Sequence, residues 1–109
     1  MNTEFSFAEN WTKGDTYREI VFLSLHFLDW QTTLDVAKQP QDYQEYNPIL
    51  GKHPTVSEVN NYFLLTGATH IILSYYLPNE YRRAFQYITI GISGTAVTNN
   101  LSCGLKFQF

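Results

Sequence analysis

Three stretches of the chain carry recurring apolar residues and are bounded by helix start and stop signals, which predicts three helices. The first covers about residues 16–38. It opens at a capping-box pattern, Thr16 followed three residues later by Glu19, and it ends before Pro40. Such a helix rises about 33 Å, enough to cross a bilayer.

The second predicted helix covers about residues 56–77, from the capping-box pattern of Thr55 and Glu58 to the stop at Pro78. The third covers about residues 81–104. Residues 59–79 and 84–104 contain no Asp, Glu, Lys or Arg, as is typical of membrane helices. Residues 87–92 are β-branched and partly alternating, which also fits a strand and leaves an α+β domain free of the membrane as an alternative.

The composition bears on both the membrane-helix interpretation and the α+β alternative. Charged residues make up 16% of the chain and aromatic residues 17%, which fits a protein that meets a bilayer interface. The mean hydropathy of −0.24 is low for a membrane protein. We expect a single all-α domain over residues 1–109, a three-helix transmembrane bundle with a polar loop between helices 1 and 2. We further expect a multi-pass location in the inner (plasma) membrane, with the side of Arg82 and Arg83 cytoplasmic.

The sequence lacks the features that would indicate several classes of function. The net charge is −3 and the basic residues are scattered, so no nucleic-acid partner is predicted. The lone Cys103 offers neither an internal disulfide nor a cysteine zinc site. With no nucleophile motif such as Gly-x-Ser-x-Gly, we predict no enzyme, no cofactor and no metal.

Asp29 is the first candidate for chemistry, because an acid inside an apolar helix should face other helices rather than lipid. Burial in such a site raises a carboxyl pKa. His26 and Thr33 share its helical face by spacings of three and four, and His70 in the second helix lies at a similar depth. The group either handles a proton, a cation or a ligand, or consists of packed and hydrogen-bonded side chains.

A second polar cluster is predicted where the three helices approach the loop. It is either a pocket or a seat that satisfies the loop backbone. Its members are Thr32, Thr33, Asp35, Asn60, Asn61, Asn99 and Asn100, beneath the loop residues Glu45, Asn47 and His53. From both groups we select six candidate binding residues: Asp29, Thr33, Glu45, Asn47, His70 and Asn99.

The pattern D-x-x-T-T at residues 29–33, followed by E-x-N-P at residues 45–48, resembles small uncharacterised prokaryotic and phage integral membrane proteins. The likeness covers about residues 20–80. It implies a helical membrane fold in which Asp29, Thr33, Glu45, Asn47 and Pro48 form one unit, and it implies no activity. Helix 2 of that family often carries a Lys, whereas this chain has His70 in that region.

These observations favour a small membrane protein that acts by association, as an accessory subunit of a membrane complex or a phage-type membrane effector. Its expected partners are the lipid bilayer and another protein or further copies of itself, contacted through the helices. One alternative is a transport element for protons, cations or small ligands that uses Asp29 and His70. Another is a holin-like lysis protein.

Overall fold

The computed structural model describes residues 10–45 and 47–108. They form three α-helices, α1 (Lys13–Lys38), α2 (Val56–Tyr76) and α3 (Asn79–Ser102), with a loop over residues 39–55 between α1 and α2. The predicted three-helix, all-α architecture is confirmed. Residues 87–92 lie inside α3, and the described part of the chain contains no strand, so the α+β alternative is not supported.

The start of α1 differs from the prediction. Thr12 is the N-cap, and its hydroxyl accepts a hydrogen bond from the Asp15 N–H (3.2 Å) while the Asp15 carboxylate accepts from the Thr12 N–H (2.8 Å). Helix α1 therefore begins three residues before Thr16. Two Thr-x-x-acid patterns follow one another here, and the second acid, Glu19, is used for contacts with another helix.

The other helix ends lie close to those predicted. The capping box of Thr55 and Glu58 is present, and α1 ends at Lys38 as expected. Pro78 is the N-cap of α3, so α2 ends at Tyr76 and α3 begins directly after the proline.

Helix α1 is the centre of the bundle, because it packs against both other helices, whereas α2 and α3 contact one another much less. Helix α2 runs antiparallel to α1, as the pairs Trp30–Asn60 and Glu19–His70 show. Helix α3 runs parallel to α1. Contacts between α2 and α3 concentrate near Pro78, where His70 meets Thr89. The two helices therefore diverge toward the loop and leave a groove above α1.

Among the described residues, no helix is both long and apolar enough to cross a membrane. The apolar stretches are interrupted by polar side chains, for example Asp15, Glu19 and Asp29 in α1 and Gln86 in α3. The transmembrane character of the predicted bundle is thus unsupported, and the expected multi-pass location in the inner membrane is contradicted. Arg82, which served to orient the chain, is fully buried rather than placed at a helix end facing water.

The interior is rich in polar side chains. Arg82 and Gln86 are the largest fully buried ones. The apolar contribution to the interior includes a row of mostly stacked rings, which lies between α1 and α2 except for Phe85 of α3, with Phe22 against His70 at 3.5 Å between ring centroids. The row runs in order through Phe85, His70, Phe22, His26, Phe63 and Trp30.

The buried Arg82 guanidinium joins all three helices near Pro78. It donates to the Asp15 carboxylate (2.9 Å) and to the Asn79 side chain (2.9 Å). It also donates to the carbonyls of Ser74 (2.6 Å) and Tyr75 (3.2 Å), which belong to the last turn of α2 and have no helical partner there. A buried charge is tolerated because it is paired and fully hydrogen-bonded in this way.

Replacing Arg82 by Met tests this arrangement. The variant removes the cation and leaves the Asp15 carboxylate and two helix-end carbonyls without it, so we expect the free energy of unfolding to fall by about 3–5 kcal/mol. Urea unfolding followed by far-UV circular dichroism measures the change.

The neighbouring exposed Arg83 is the matched control, and Arg83→Met should change the same free energy by less than about 0.5 kcal/mol. If the Arg82→Met protein were as stable as the Arg83→Met protein, the buried guanidinium would not be holding the helix ends together near Pro78, and this prediction would be wrong.

Candidate functional site

The groove between α2 and α3 has α1 as its floor. Residues spaced alternately by four and three along a helix share one face, and this spacing brings Phe22, His26, Asp29, Thr33 and Val36 of α1 to the groove. The cavity measures about 890 Å³, within the range of small-molecule sites. The loop over residues 39–55 lines one end of it.

Asp29 lies in this floor and is partly buried. Its Oδ1 accepts hydrogen bonds from the Thr33 hydroxyl (3.3 Å) and from the Asn100 amide of α3 (3.1 Å). The Asn100 amide also donates to the Thr32 hydroxyl at 2.8 Å, which fixes α3 against α1. Asp29 Oδ2 receives no hydrogen bond from the described residues, so half of the carboxylate is left for the groove.

Burial raises the pKa of Asp29 to about 6, and the negative charge of Glu45 adds to the increase. The hydrogen bonds from Thr33 and Asn100 favour the ionised form and therefore act to lower this pKa. The carboxyl group therefore gains or loses its proton near neutral pH, as the apolar surroundings of this helix position predicted.

The loop brings Glu45 to the groove through a fixed turn. Asn47 donates from its side-chain amide to the Tyr62 hydroxyl of α2 (2.8 Å) and accepts from the Ile49 N–H (2.9 Å). The Asn47 N–H donates to the Glu45 carboxylate at 3.1 Å. Gly51 closes the turn with a φ of +83°, a conformation that favours glycine. Asn47 thus anchors the loop to α2 and positions the acid.

His70 lines the groove but makes its bonds away from Asp29. Its Nδ1 lies 2.7 Å from the Glu19 carboxylate, and its Nε2 lies 2.7 Å from the Thr89 hydroxyl. His26 likewise points to α2, with its Nε2 3.0 Å from both the Phe63 carbonyl and the Thr66 hydroxyl. The expected contact of either histidine with Asp29 is therefore not made, because both rings belong to the stacked row between α1 and α2.

Burial lowers the pKa of His26, and the charge of His70 lowers it further, against the opposing hydrogen bond to the Phe63 carbonyl. The neutral ring is therefore favoured at this position. A neutral His26 does not supply a cation for the groove near Asp29.

The sequence of groups Thr89, His70 and Glu19 has the connectivity of a hydroxyl–imidazole–carboxylate triad. The Thr89 hydroxyl, however, lies 2.8 Å from the Phe85 carbonyl of its own helix. The Phe85 carbonyl and the His70 Nε2 therefore compete for the single proton of this hydroxyl. The row links three helices through these contacts.

Glu19 belongs to a buried network that the sequence did not indicate. It accepts hydrogen bonds from the Ser74 hydroxyl (2.9 Å) and the Gln86 amide (3.1 Å) in addition to its contact with His70. Burial alone would raise the pKa of Glu19, but the hydrogen bonds from His70 and Gln86 and the charge of His70 together lower it. The signal available in the sequence was the spacing of four between Asp15 and Glu19, which places both acids on one side of α1.

The structure brings the predicted candidates to one place. All six line the groove. Asp29 contacts Thr33 and is affected by the charge of Glu45, and Glu45 accepts a hydrogen bond from the Asn47 N–H. Asn99 is exposed at the edge of the groove, while Asn60 instead accepts from the Trp30 indole at 2.9 Å. Asp35 fixes the C-terminal segment by accepting from the Lys106 N–H at 2.8 Å. The functional roles of the six residues stay predictions.

The Asp29→Asn variant tests how much the Asp29 carboxylate lowers the stability of the folded protein. Because the folded-state pKa is raised, the wild-type protein loses stability as the pH rises from the usual Asp pKa toward 6. The variant avoids this loss and should be more stable than wild type at pH 7.5. Its advantage should shrink by about 1–2 kcal/mol between pH 7.5 and pH 4.5.

Urea unfolding at both pH values measures the difference between the two proteins, in which the titration of all other groups cancels. A pH-independent difference for Asp29→Asn would show that the carboxylate is not destabilised by its surroundings.

Comparison with models of protein families, with curated protein sequences and with solved structures returned no match to this chain.

Proposed function

We propose that this chain works by association, and that the outer face of α2 packs against the same face of a second copy. The outer face of α2 is defined by seven side chains at helical spacing. They are Leu64, Leu65, Ala68, Ile71, Ile72, Tyr75 and Tyr76.

The observation that carries the proposal is that the exposed side of α2 is apolar. Its outer face is apolar and exposed, with Leu65 69% and Ile72 56% accessible. Its inner face buries Val59 and Phe63 together with His70 and Ser74. A helix at a water-facing surface normally carries polar side chains on its outer side, and large exposed apolar patches mark interaction sites.

A second copy fits this face for two reasons. Residues 59–79 carry no formal charge, so two such faces meet without burying an unpaired ion. The exposed side chains leave on the order of 600 Å² on each copy, so two copies together reach roughly the 1,200 Å² at which specific interfaces begin. A two-fold dimer uses one patch twice, so a single self-complementary face is sufficient.

Disulfide trapping at Ala68 tests the dimer. In a Cys103→Ser background, which removes the one native thiol, Ala68→Cys places a cysteine near the middle of the outer face. A two-fold interface brings the two copies of a central residue together. Mild oxidation followed by non-reducing electrophoresis should therefore yield a covalent dimer.

The matched control is Ala84→Cys, an exposed alanine of α3 in the other uncharged stretch. It should yield several-fold less dimer than Ala68→Cys, because it lies outside the proposed interface. Adding Leu65→Glu and Ile72→Glu should reduce trapping at Ala68, because both copies would then bury charge. Equal trapping at the two alanines, or none at Ala68, would overturn the proposal.

A further inference from the structure

We propose that the groove between α2 and α3 binds a small neutral aromatic molecule, and that the Ser93 hydroxyl forms a hydrogen bond with a polar substituent of this ligand. This inference goes beyond association and rests on a separate observation, a serine hydroxyl without a partner in a buried part of the groove.

Ser93 differs from the other Ser and Thr residues of α3. The Thr95 and Thr98 hydroxyls donate to carbonyls one turn back in the helix, at 2.8 Å each. The Thr89 and Ser102 hydroxyls also lie within hydrogen-bond distance of carbonyls of α3. The Ser93 hydroxyl makes no hydrogen bond with the described residues, although a local bond of this kind is open to any helical serine.

The Ser93 hydroxyl is open to the groove. The residue lines the cavity and is only 7% exposed. Among the described residues, every fully enclosed side-chain nitrogen or oxygen has a hydrogen-bond partner, so the unpartnered Ser93 oxygen is accessible from the cavity. A polar group in a buried place is stabilised by a hydrogen bond, and a ligand in the groove would supply one here.

Ser93 lies in the middle of the groove, between the acids at its two ends. Gln86 contacts Glu19 and Asn100 contacts Asp29. Each of these two α3 residues is seven positions from Ser93, which is about 10 Å along the helix axis. An ion beside Ser93 would lose hydration without a charged partner at hand. The position therefore favours an uncharged ligand.

The lining of the groove favours an aromatic ligand. Aromatic rings bury a large apolar area, and they pack well against the edges of other rings. The cavity of about 890 Å³ is large enough for a ring-containing molecule. Five members of the row of rings line it: Phe85, His70, Phe22, His26 and Phe63.

His26 supplies a second polar atom, a hydrogen-bond acceptor. Its Nε2 lies 3.0 Å from the Phe63 carbonyl, which can only accept, so Nε2 carries the hydrogen of the neutral ring. The ring edge with Cδ2 and Nε2 faces Gly67, where an added methyl carbon would lie 3.5 Å from Cδ2. Nδ1 lies on the opposite edge and receives no hydrogen bond from the described residues. A ligand hydroxyl, which both donates and accepts, therefore suits the groups that His26 and Ser93 offer.

NMR titration of the ¹⁵N-labelled protein with 2-naphthol tests the proposal. Naphthalene is the probe without a hydroxyl, and 2-naphthoate is the anionic probe on the same ring system. At pH 7, 2-naphthol should bind about fivefold more tightly than naphthalene and at least about tenfold more tightly than 2-naphthoate. The amide signals of Ser93 and His26 should shift, rather than those of Leu64 and Ile72 on the outer face of α2.

Ser93→Ala should weaken the binding of 2-naphthol about fivefold and leave that of naphthalene unchanged, because one neutral hydrogen bond contributes about this much. The variant should resist urea at least as well as wild type, since no hydrogen bond within the protein is lost. Ser24→Ala is the matched control. It changes an exposed serine of α1 outside the groove and should bind both probes as wild type does.

A second variant keeps the test informative if Ser93→Ala does not fold. Ala96→Phe fills part of the groove from α3 and should weaken the binding of both 2-naphthol and naphthalene at least about tenfold.

Equal affinities for 2-naphthol and naphthalene, or an unchanged 2-naphthol affinity in either groove variant, would overturn the proposal. So would tighter binding of 2-naphthoate, signal shifts confined to the outer face of α2, or no binding of 2-naphthol at millimolar concentration. Disulfide trapping at Ala68 reports on association independently of each of these results.

Discussion

The guanidinium of Arg82 determines how the three helices meet. It joins the first turn of α1 through Asp15, the first turn of α3 through Asn79, and the last carbonyls of α2. A buried charge that loses a partner costs several kcal/mol, so few arrangements of the helix ends satisfy it. The helices are consequently fixed together near Pro78. The groove opens at the far end, where α2 and α3 are separated and Asn47 ties the loop to α2.

Helix α2 connects the proposed interface with the groove, because its two sides have different chemistry. The side toward α1 and the groove carries His70, Ser74 and the aromatic wall. The opposite side carries the apolar outer face. A partner bound to the outer face would act on a helix that has few contacts with α3 to hold it. Leu65 belongs both to that face and to the lining of the groove, so the two surfaces meet along the helix.

Local signals in the sequence were sufficient to place the helices, and they did not show how the helices are rotated. Pro40, Pro78 and the Thr55 capping box act within a few residues, so their effects were predictable. The polarity of the candidate groove was also predictable, since Asp29 and Thr33 share a helical face. The partners of His70 and Arg82 were not, because both positions lie 50 or more residues from their acids. Uncharged stretches such as residues 59–79 are apolar over much of their circumference, and a helix of that kind gives little indication of which side is buried. The absence of charged residues from these stretches then suggested lipid contact for faces that differ in burial.

The network near Pro78 also constrains how this sequence can diverge. Asp15, Glu19, His70, Arg82 and Gln86 each satisfy a polar group on another helix. A single replacement leaves a buried group without its partner, whereas a joint replacement of both partners by apolar residues of similar volume can be nearly neutral. Substitutions at these positions should therefore accumulate in pairs along a lineage. Two distant homologues could share the fold while one holds its helices together by ions and the other by aliphatic side chains.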